Sequence, residues 1–229
     1  MSNPNPCPPA PVAGISGAAN TRRTLLPVVY GNAFVTGAVI MSFEMLGSRY
    51  LNPYFGSGIY TWAALISSVL AALAVGYFVG GWLGDRHPSP ALLGACIILS
   101  SIYLLCVPMI ADASFGTIFE TVQDARFGSI FAAMVILFAP LMVLGFYSPF
   151  AIRLVLRDTH NSGRVSGRIY GISTVGSIFG TLFTTFYMVP NLGTRSITYI
   201  LAAIACLAGI SFIMLGRQAG HFFRDSDST

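Results

Sequence analysis

The stretch MSFEMLGSRYLNPYFGSGIYTW, residues 41–62, joins two apolar runs and decides how the chain folds. It carries an acid, Glu44, inside the first run, then Arg49, then a loop rich in Pro, Gly and aromatic residues. Apolar runs of about 20 residues are typical of membrane-spanning helices, so the stretch predicts the outer turn of a helical hairpin. A carboxylate at such a depth is costly unless it is paired or hydrated, which makes Glu44 a candidate functional position.

The composition of the whole chain agrees with a membrane protein. Of the 229 residues, 55% are hydrophobic and only 9% are charged, whereas soluble domains carry about 25% charged residues. All 12 basic residues are arginine, and they are scattered through short connections. They form no basic stripe, so we expect no nucleic-acid partner.

Six stretches are long and apolar enough to cross a bilayer. They run from Leu25 to Leu46, Ile59 to Leu83, Ala91 to Ile110, Ser129 to Ser148, Ile169 to Val189 and Ile197 to Leu215. The predicted fold is therefore an all-α, polytopic membrane domain over residues 25–216. A Pro-rich tail, residues 1–24, is predicted to be disordered and cytosolic, and residues 217–229 form a second cytosolic tail.

The distribution of arginines predicts the orientation in the membrane. Nine arginines fall on the side of the termini, and three, Arg49, Arg126 and Arg195, fall on the other side. The positive-inside rule then places both termini in the cytoplasm. We expect an integral protein of a bacterial inner membrane, in contact with membrane lipids.

Two connections are predicted to carry short helices at the membrane surface. Apolar residues at helical spacing in the outer connection, residues 111–128, predict an interfacial helix that caps the outer helix ends. Beyond Pro149, Arg153 and Arg157 stand four residues apart among apolar residues and predict an amphipathic helix at the inner surface.

Small residues recur every fourth position in two of the predicted spans, which favours close helix packing in a membrane. In the second span they are Ser68, Ala72, Gly76, Gly80 and Gly84. In the fifth span two glycine pairs at this spacing are Gly167 with Gly171 and Gly176 with Gly180. Static packing and a sliding helix contact are both compatible with these stripes.

The candidate intramembrane polar site lies around the opening stretch. Its residues are Glu44, Ser48, Arg49, Tyr54, Tyr60 and Trp62. Two interpretations remain open for the acid, a cation or proton site and a buried structural hydrogen bond. Two also remain for the aromatic residues, a belt at the membrane surface and a site for an amine ligand through cation–π attraction. No His, Cys and acid cluster has metal-ligand spacing, and no catalytic constellation is present in the sequence.

The segment Gly80-Gly-Trp-Leu-Gly-Asp-Arg-His-Pro follows the second span. Its G-x-L-x-D-R pattern resembles the loop motif of major facilitator transporters, with Gly81, Leu83, Asp85 and Arg86 in the matching positions. The resemblance implies that Asp85 latches helix ends together on the cytoplasmic side. We expect it to pair with an inner arginine such as Arg153, or to cap a helix N-terminus.

A wider resemblance covers residues 43–195. The blocks FEMLGSRYLNPYFGSGIYTWAALISSVLAALAVGYFVGGWLGDR, FAPLMVLGFYSPFAIRL and SGRIYGISTVGSIFGTLFTTFYMVPNLGTR resemble the membrane domain of the fused major-facilitator/spermidine-synthase-like proteins. The resemblance implies half of a major facilitator bundle with a three-plus-three inverted repeat. In that family a cytosolic domain of the aminopropyltransferase type follows, whereas here only GRQAGHFFRDSDST follows the sixth span. We therefore expect no enzymatic activity and no cofactor from this chain.

Two functions follow as hypotheses. In the first, the chain is a non-catalytic membrane subunit that docks another protein subunit, such as a spermidine-synthase-like enzyme. Its docking surface is predicted at the inner arginines Arg153, Arg157, Arg164 and Arg168. In the second, the chain is a transporter-like module for a small, cationic metabolite such as a polyamine. It would then act as a homo-oligomer with Glu44 in the pathway.

Overall fold

The computed structural model describes residues 14–122, 124–155 and 162–226, with side chains between 26 and 217 in those ranges. Six helices long and apolar enough to cross a membrane make up this part, and no strand occurs in it. They are α1 Gly14–Phe55, α2 Ile59–Arg86, α3 Pro90–Thr121, α4 Ala125–Val155, α5 Ser162–Asn191 and α6 Thr194–Ser226. The predicted all-α fold with six membrane-spanning helices is confirmed.

The helices run alternately up and down, which gives the bundle two ends. The Asp85 end holds the α2–α3 and α4–α5 connections, and the Asp112 end holds the α1–α2, α3–α4 and α5–α6 connections. The arginine distribution predicts that the Asp85 end faces the cytoplasm.

The outer connections are shorter than predicted. The expected interfacial helix in residues 111–128 is wrong, because α3 continues unbroken to Thr121 and α4 begins at Ala125. The cause is Phe115, whose side chain is only 1% exposed and therefore packs into the bundle instead of lying on its surface. The loop expected at residues 52–58 likewise shrinks to 56–58, where Gly56 has a φ of 72° and turns the chain into α2.

Helical backbone also extends into both predicted tails. α1 begins at Gly14, and α6 continues to Ser226. All five N-terminal prolines precede residue 12, so no proline interrupts the helix between Gly14 and Leu26. Residues 1–13 and 227–229 lie outside the described part of the chain.

Two helices contain a turn of π-helix just before a proline. Met134–Phe138 in α4 precedes Pro140, and Thr184–Met188 in α5 precedes Pro190. Proline lacks an N–H group and its ring crowds the preceding turn, so the backbone rewinds there. The residues after each π turn continue the helix, as Ala139–Gly145 and Tyr147–Val155 in α4 and Val189–Asn191 in α5.

The helices pack in three principal pairs, α1 with α5, α2 with α4 and α3 with α6. α1 is central and contacts each of the other five helices. If α1, α2 and α3 are exchanged with α4, α5 and α6 in that order, the same three pairs result. An inverted repeat produces this pattern. No repeat in the sequence predicts this pairing, because helix pairing depends on shape more than on residue identity.

Glycines make all three pairs close; in the α3–α6 pair a Cβ atom at Gly94 would lie 2.5 Å from the carbonyl oxygen of Gly209. A Cβ atom at Gly80 of α2 would lie 2.5 Å from the Cα atom of Phe146 in α4. A Cβ atom at Gly176 or Gly180 of α5 would overlap the carbonyl oxygen of Phe34 or Ala38 in α1. The predicted packing of both small-residue stripes is thereby confirmed at these positions. Gly167 and Gly171 of α5 differ, since a Cβ atom there would meet nothing within 4 Å.

Buried polar side chains join the helices further. Asn32 Nδ2 of α1 donates to Ser211 Oγ of α6 at 2.9 Å, and Ser101 Oγ of α3 donates to the Ala202 carbonyl of α6 at 3.0 Å. Tyr147 of α4 donates its hydroxyl hydrogen to the Val29 carbonyl of α1. Such bonds fix helix register in an apolar surrounding, where an unsatisfied polar group is costly.

Candidate functional site

An open cleft lined mainly by polar residues lies at the Asp112 end of the bundle. It has a volume of about 460 Å³ and lies where α1 ends and α2 and α6 begin. We call it the Arg49 cleft. Its lining residues are Ser48, Arg49, Asn52, Pro53, Ser57, Thr61, Trp62 and Thr194.

The turn between α1 and α2 builds this cleft. α1 overruns its predicted end by about two turns, which brings Arg49 and Asn52 onto its last helical turns. Gly56, with its positive φ, reverses the chain within three residues. The reversal places Thr61 and Trp62 of α2 beside the end of α1, and the start of α6 closes the third side.

The lining carries one charge, which is positive. Arg49 is exposed, and among the described residues it makes no ion pair. The other polar groups are hydroxyls and one amide. The hydroxyls of Ser48 and Thr61 donate to backbone carbonyls, whereas among the described residues Asn52, Ser57 and Thr194 donate to none and are left to bind a ligand. An anion or another hydrogen-bond acceptor suits this lining, whereas an amine ligand would meet the positive charge of Arg49.

Glu44 lies apart from the cleft. Its side chain is 7% exposed and is absent from the cleft lining. Ser48 lies one turn above it and about 40° around α1, while Arg49 is about 140° away. In the described part of the chain, no ion pair and no side-chain hydrogen bond reaches the Glu44 carboxylate. The structure therefore brings no partner to this acid.

The aromatic residues predicted for the site separate into three places. Trp62 lines the cleft. Tyr54 packs edge-on against Phe115 with ring centroids 5.5 Å apart. Tyr60 lies under the guanidinium of Arg126, whose Cζ is 4.6 Å from the ring centroid. Tyr54 and Tyr60 thus have protein partners on the α3 and α4 side, and Trp62 alone faces the cleft.

Five further residues complete the lining and are not among those predicted for the site: Asn52, Pro53, Ser57, Thr61 and Thr194. All but Thr194 lie within the opening stretch. Thr194 is more than 130 positions from Thr61 in the chain. No local pattern links it to the α1–α2 turn; only the packing of α6 against α1 brings it there.

At the Asp85 end the predicted latch is present. Arg153 Nε of α4 lies 3.0 Å from Asp85 Oδ1 of α2, which confirms the expected pairing. Both side chains are more than half exposed, so the pair contributes little to stability. Arg86 stacks over the Trp82 ring at 4.4 Å. Gly81 makes no close approach, since an added Cβ atom would be 3.8 Å from its nearest neighbour, in Pro149.

Three of the four arginines of the predicted docking surface lie in the described part of the chain. Arg153 belongs to the latch, and Arg157 lies outside the described residues. Arg164 and Arg168 are exposed on the first turns of α5. At 100° per residue they share the outward face of this helix with Gly167 and Gly171.

Comparisons with known proteins assign the chain to no family. The chain matches no protein-family model, no curated protein and no solved structure. Among the described residues, no group of three His, Cys, Asp or Glu side chains lies close enough to hold a metal ion.

Proposed function

We propose that this protein is a non-catalytic integral membrane subunit, and that α5 is the helix through which it docks a partner protein. The observation that carries the proposal is a mismatch in α5. This helix is the least apolar of the six spans and also the least buried within the chain. A helix surrounded by lipid is favoured when its free face is apolar.

Near the Asp85 end, the outward face of α5 has the chemistry of a helix–helix contact. Gly167 and Gly171 repeat the spacing of Gly176 and Gly180, which close on α1, yet open space surrounds the first pair. Thr174 continues this face one turn further and is exposed. Lipid tails gain little from a groove of small residues, whereas a second helix gains close backbone contact there.

Arg164 and Arg168 extend this face to the Asp85 end of α5. Among the described residues neither takes part in an ion pair. A partner whose membrane helix ends in acidic residues, or whose cytosolic part is acidic, would complement them. The resemblance to the fused family suggests one such partner, a separate spermidine-synthase-like chain on the cytoplasmic side of a bacterial inner membrane.

Purification from native membranes into lipid nanodiscs, without crosslinking, tests the proposal. We expect a second protein to copurify at a fixed ratio, and Gly171→Leu to remove it while the membrane subunit stays folded. The control is Gly116→Leu on α3, another helical glycine with nothing within 4 Å. Isolation of the wild-type chain only as a homodimer would refute the partner-subunit proposal.

A second candidate function is a transporter-like module that acts as a dimer. It is favoured by one observation, the burial of Glu44 one turn below the cleft. Each copy would then provide half of a major-facilitator-like bundle. Flux of a labelled polyamine into proteoliposomes tests this function; it should fall in Glu44→Gln and persist in Glu120→Gln, whose acid is exposed on α3. Absence of flux in the wild-type protein would refute it.

A further inference from the structure

We propose that the Arg49 cleft is a binding site for a phosphate-type anion, carried by a lipid headgroup or by a small solute. This site is distinct from the α5 surface and lies at the opposite end of the bundle, so the two proposals stand independently. The cleft volume of about 460 Å³ falls within the usual size of ligand sites and exceeds what one phosphate group requires.

The first argument is the state of the three arginines at the Asp112 end. Arg195 donates to Asp112 Oδ2 at 2.7 Å, and Arg126 lies over the Tyr60 ring. Arg49 has neither kind of partner among the described residues. Of the three arginines, Arg49 is therefore the one whose guanidinium contacts neither an acid nor an aromatic ring among the described residues. A planar guanidinium is suited to bind a phosphate or a carboxylate.

The second argument is the set of neutral groups around Arg49. Asn52, Ser57 and Thr194 line the same cleft and are donors that reach an anion without opposing its charge. No acid lines the cleft; Glu44 is below it and Asp112 is engaged by Arg195. An anion entering the cleft would meet donors on α1, in the α1–α2 turn and on α6, and no repulsive charge in its lining.

The third argument is position. The cleft is open and occupies the end of three membrane helices, at the depth of the bilayer surface. Trp62 forms part of its wall, and tryptophan is typical of that depth. An anionic lipid headgroup reaches this level laterally, and a free oxyanion reaches it from water.

Trp62 also provides a reporter, because the chain contains two tryptophans and the other, Trp82, is at the Asp85 end. In a Trp82→Phe background, the fluorescence of Trp62 is measured in detergent while a probe is added. The probes are inorganic phosphate, dihexanoyl phosphatidylglycerol and, as a zwitterionic reference, dihexanoyl phosphatidylcholine. Saturation by phosphate as well as by phosphatidylglycerol indicates a solute site, and saturation by phosphatidylglycerol alone indicates a headgroup site.

The variants distinguish a specific role of Arg49 in anion binding from a general effect of positive charge at the Asp112 end. We expect Arg49→Gln to weaken anion binding by about tenfold or more, since it removes a charge-assisted hydrogen bond. Arg49→Lys should retain part of the affinity, and Arg126→Gln should leave it unchanged. Three results would overturn the proposal: no saturable signal with either anion, equal binding of phosphatidylcholine, or equal losses in the Arg49 and Arg126 variants. Copurification of an α5 partner is expected to survive Arg49→Gln.

Discussion

α2 and α5 occupy equivalent places in the bundle but differ in their free faces near the Asp85 end. Each packs a glycine stripe onto one neighbour, α2 onto α4 and α5 onto α1. The free face of α2 is built from large apolar side chains such as Ile66, Leu70 and Phe78, the last of them 83% exposed. The free face of α5 has Gly167 and Gly171 near the Asp85 end and exposed apolar side chains such as Val175, Ile178 and Leu182 beyond them.

This difference shows that the face with which a helix packs inside the chain and the face that it presents to its surroundings are separate properties. The inner faces of α2 and α5 follow one rule, since small residues let backbones approach where lipid provides no hydrophobic drive. The outer face of α2 is suited to lipid as it stands. Near the Asp85 end, the outer face of α5 is the surface that we propose for contact with another helix.

The largest expected effect is in the inner stripe of α2. Gly80→Leu should lower the free energy of unfolding by about 3 kcal/mol or more, because the new side chain collides with the backbone of α4. Gly81→Leu is the matched control, since its Cβ atom would make only ordinary contact. Unfolding in detergent, followed by circular dichroism, measures both; equal losses in the two variants would contradict the close α2–α4 packing.

The same comparison within α5 should give a nearly equal effect. Gly176→Leu is expected to destabilise the chain strongly, because its side chain meets the carbonyl group of Phe34. Gly171→Leu should leave stability unchanged or slightly raised, since leucine is the better helix former and nothing lies nearby. A loss of stability in Gly171→Leu, with no partner present, would show that this face is buried by the chain itself.

A smaller effect is expected at Glu44, which lies on α1 between Gly37, packed on α5, and Gly47, packed on α2. Glu44→Gln should leave stability unchanged or raise it by about 1–3 kcal/mol, because the amide keeps the shape and removes a costly buried charge. Thermal unfolding at neutral pH measures the change. A loss of more than about 1 kcal/mol would instead assign Glu44 a structural hydrogen bond.

The smallest effect concerns the ion pair between α2 and α4, which has no counterpart on α5 among the described residues. A double-mutant cycle with Asp85→Asn and Arg153→Gln should give a coupling energy of about 0.2–1 kcal/mol, as for other exposed pairs. Arg164→Gln on α5 should leave stability unchanged. A coupling energy of zero would show that the pair of Asp85 and Arg153 does not hold α2 and α4 together.

Local patterns predicted the features that depend on neighbours within a few turns. The six spans follow from apolar length, and the inner glycine stripes follow from four-residue spacing. The pairing of Asp85 with Arg153 follows from the order of the spans and from the resemblance of the loop motif. The continuation of α3 through Phe115 was missed because an apolar stripe at a membrane surface and one facing the bundle have the same period.

The candidate site was predicted only in part, for a physical reason. Ser48, Arg49 and Trp62 lie within one short stretch, so a local reading found them. Tyr54 and Tyr60 lie in the same stretch, but successive residues of a helix point in different directions, and these two face α3 and α4. Thr194 depends on how α6 packs on α1, which no spacing in the sequence encodes.

The two π turns have a mechanical consequence. Both lie in the half of the bundle nearer the Asp112 end, and each interrupts the regular ladder of backbone hydrogen bonds in its helix. Tyr103 compensates in one of them by donating to the Val135 carbonyl at 2.7 Å. Beyond the π turn, the ladder of α4 is interrupted once more at Phe146. We therefore expect α4 and α5 to bend most readily at these interruptions, while α1 and α2 beside the Arg49 cleft remain regular helices.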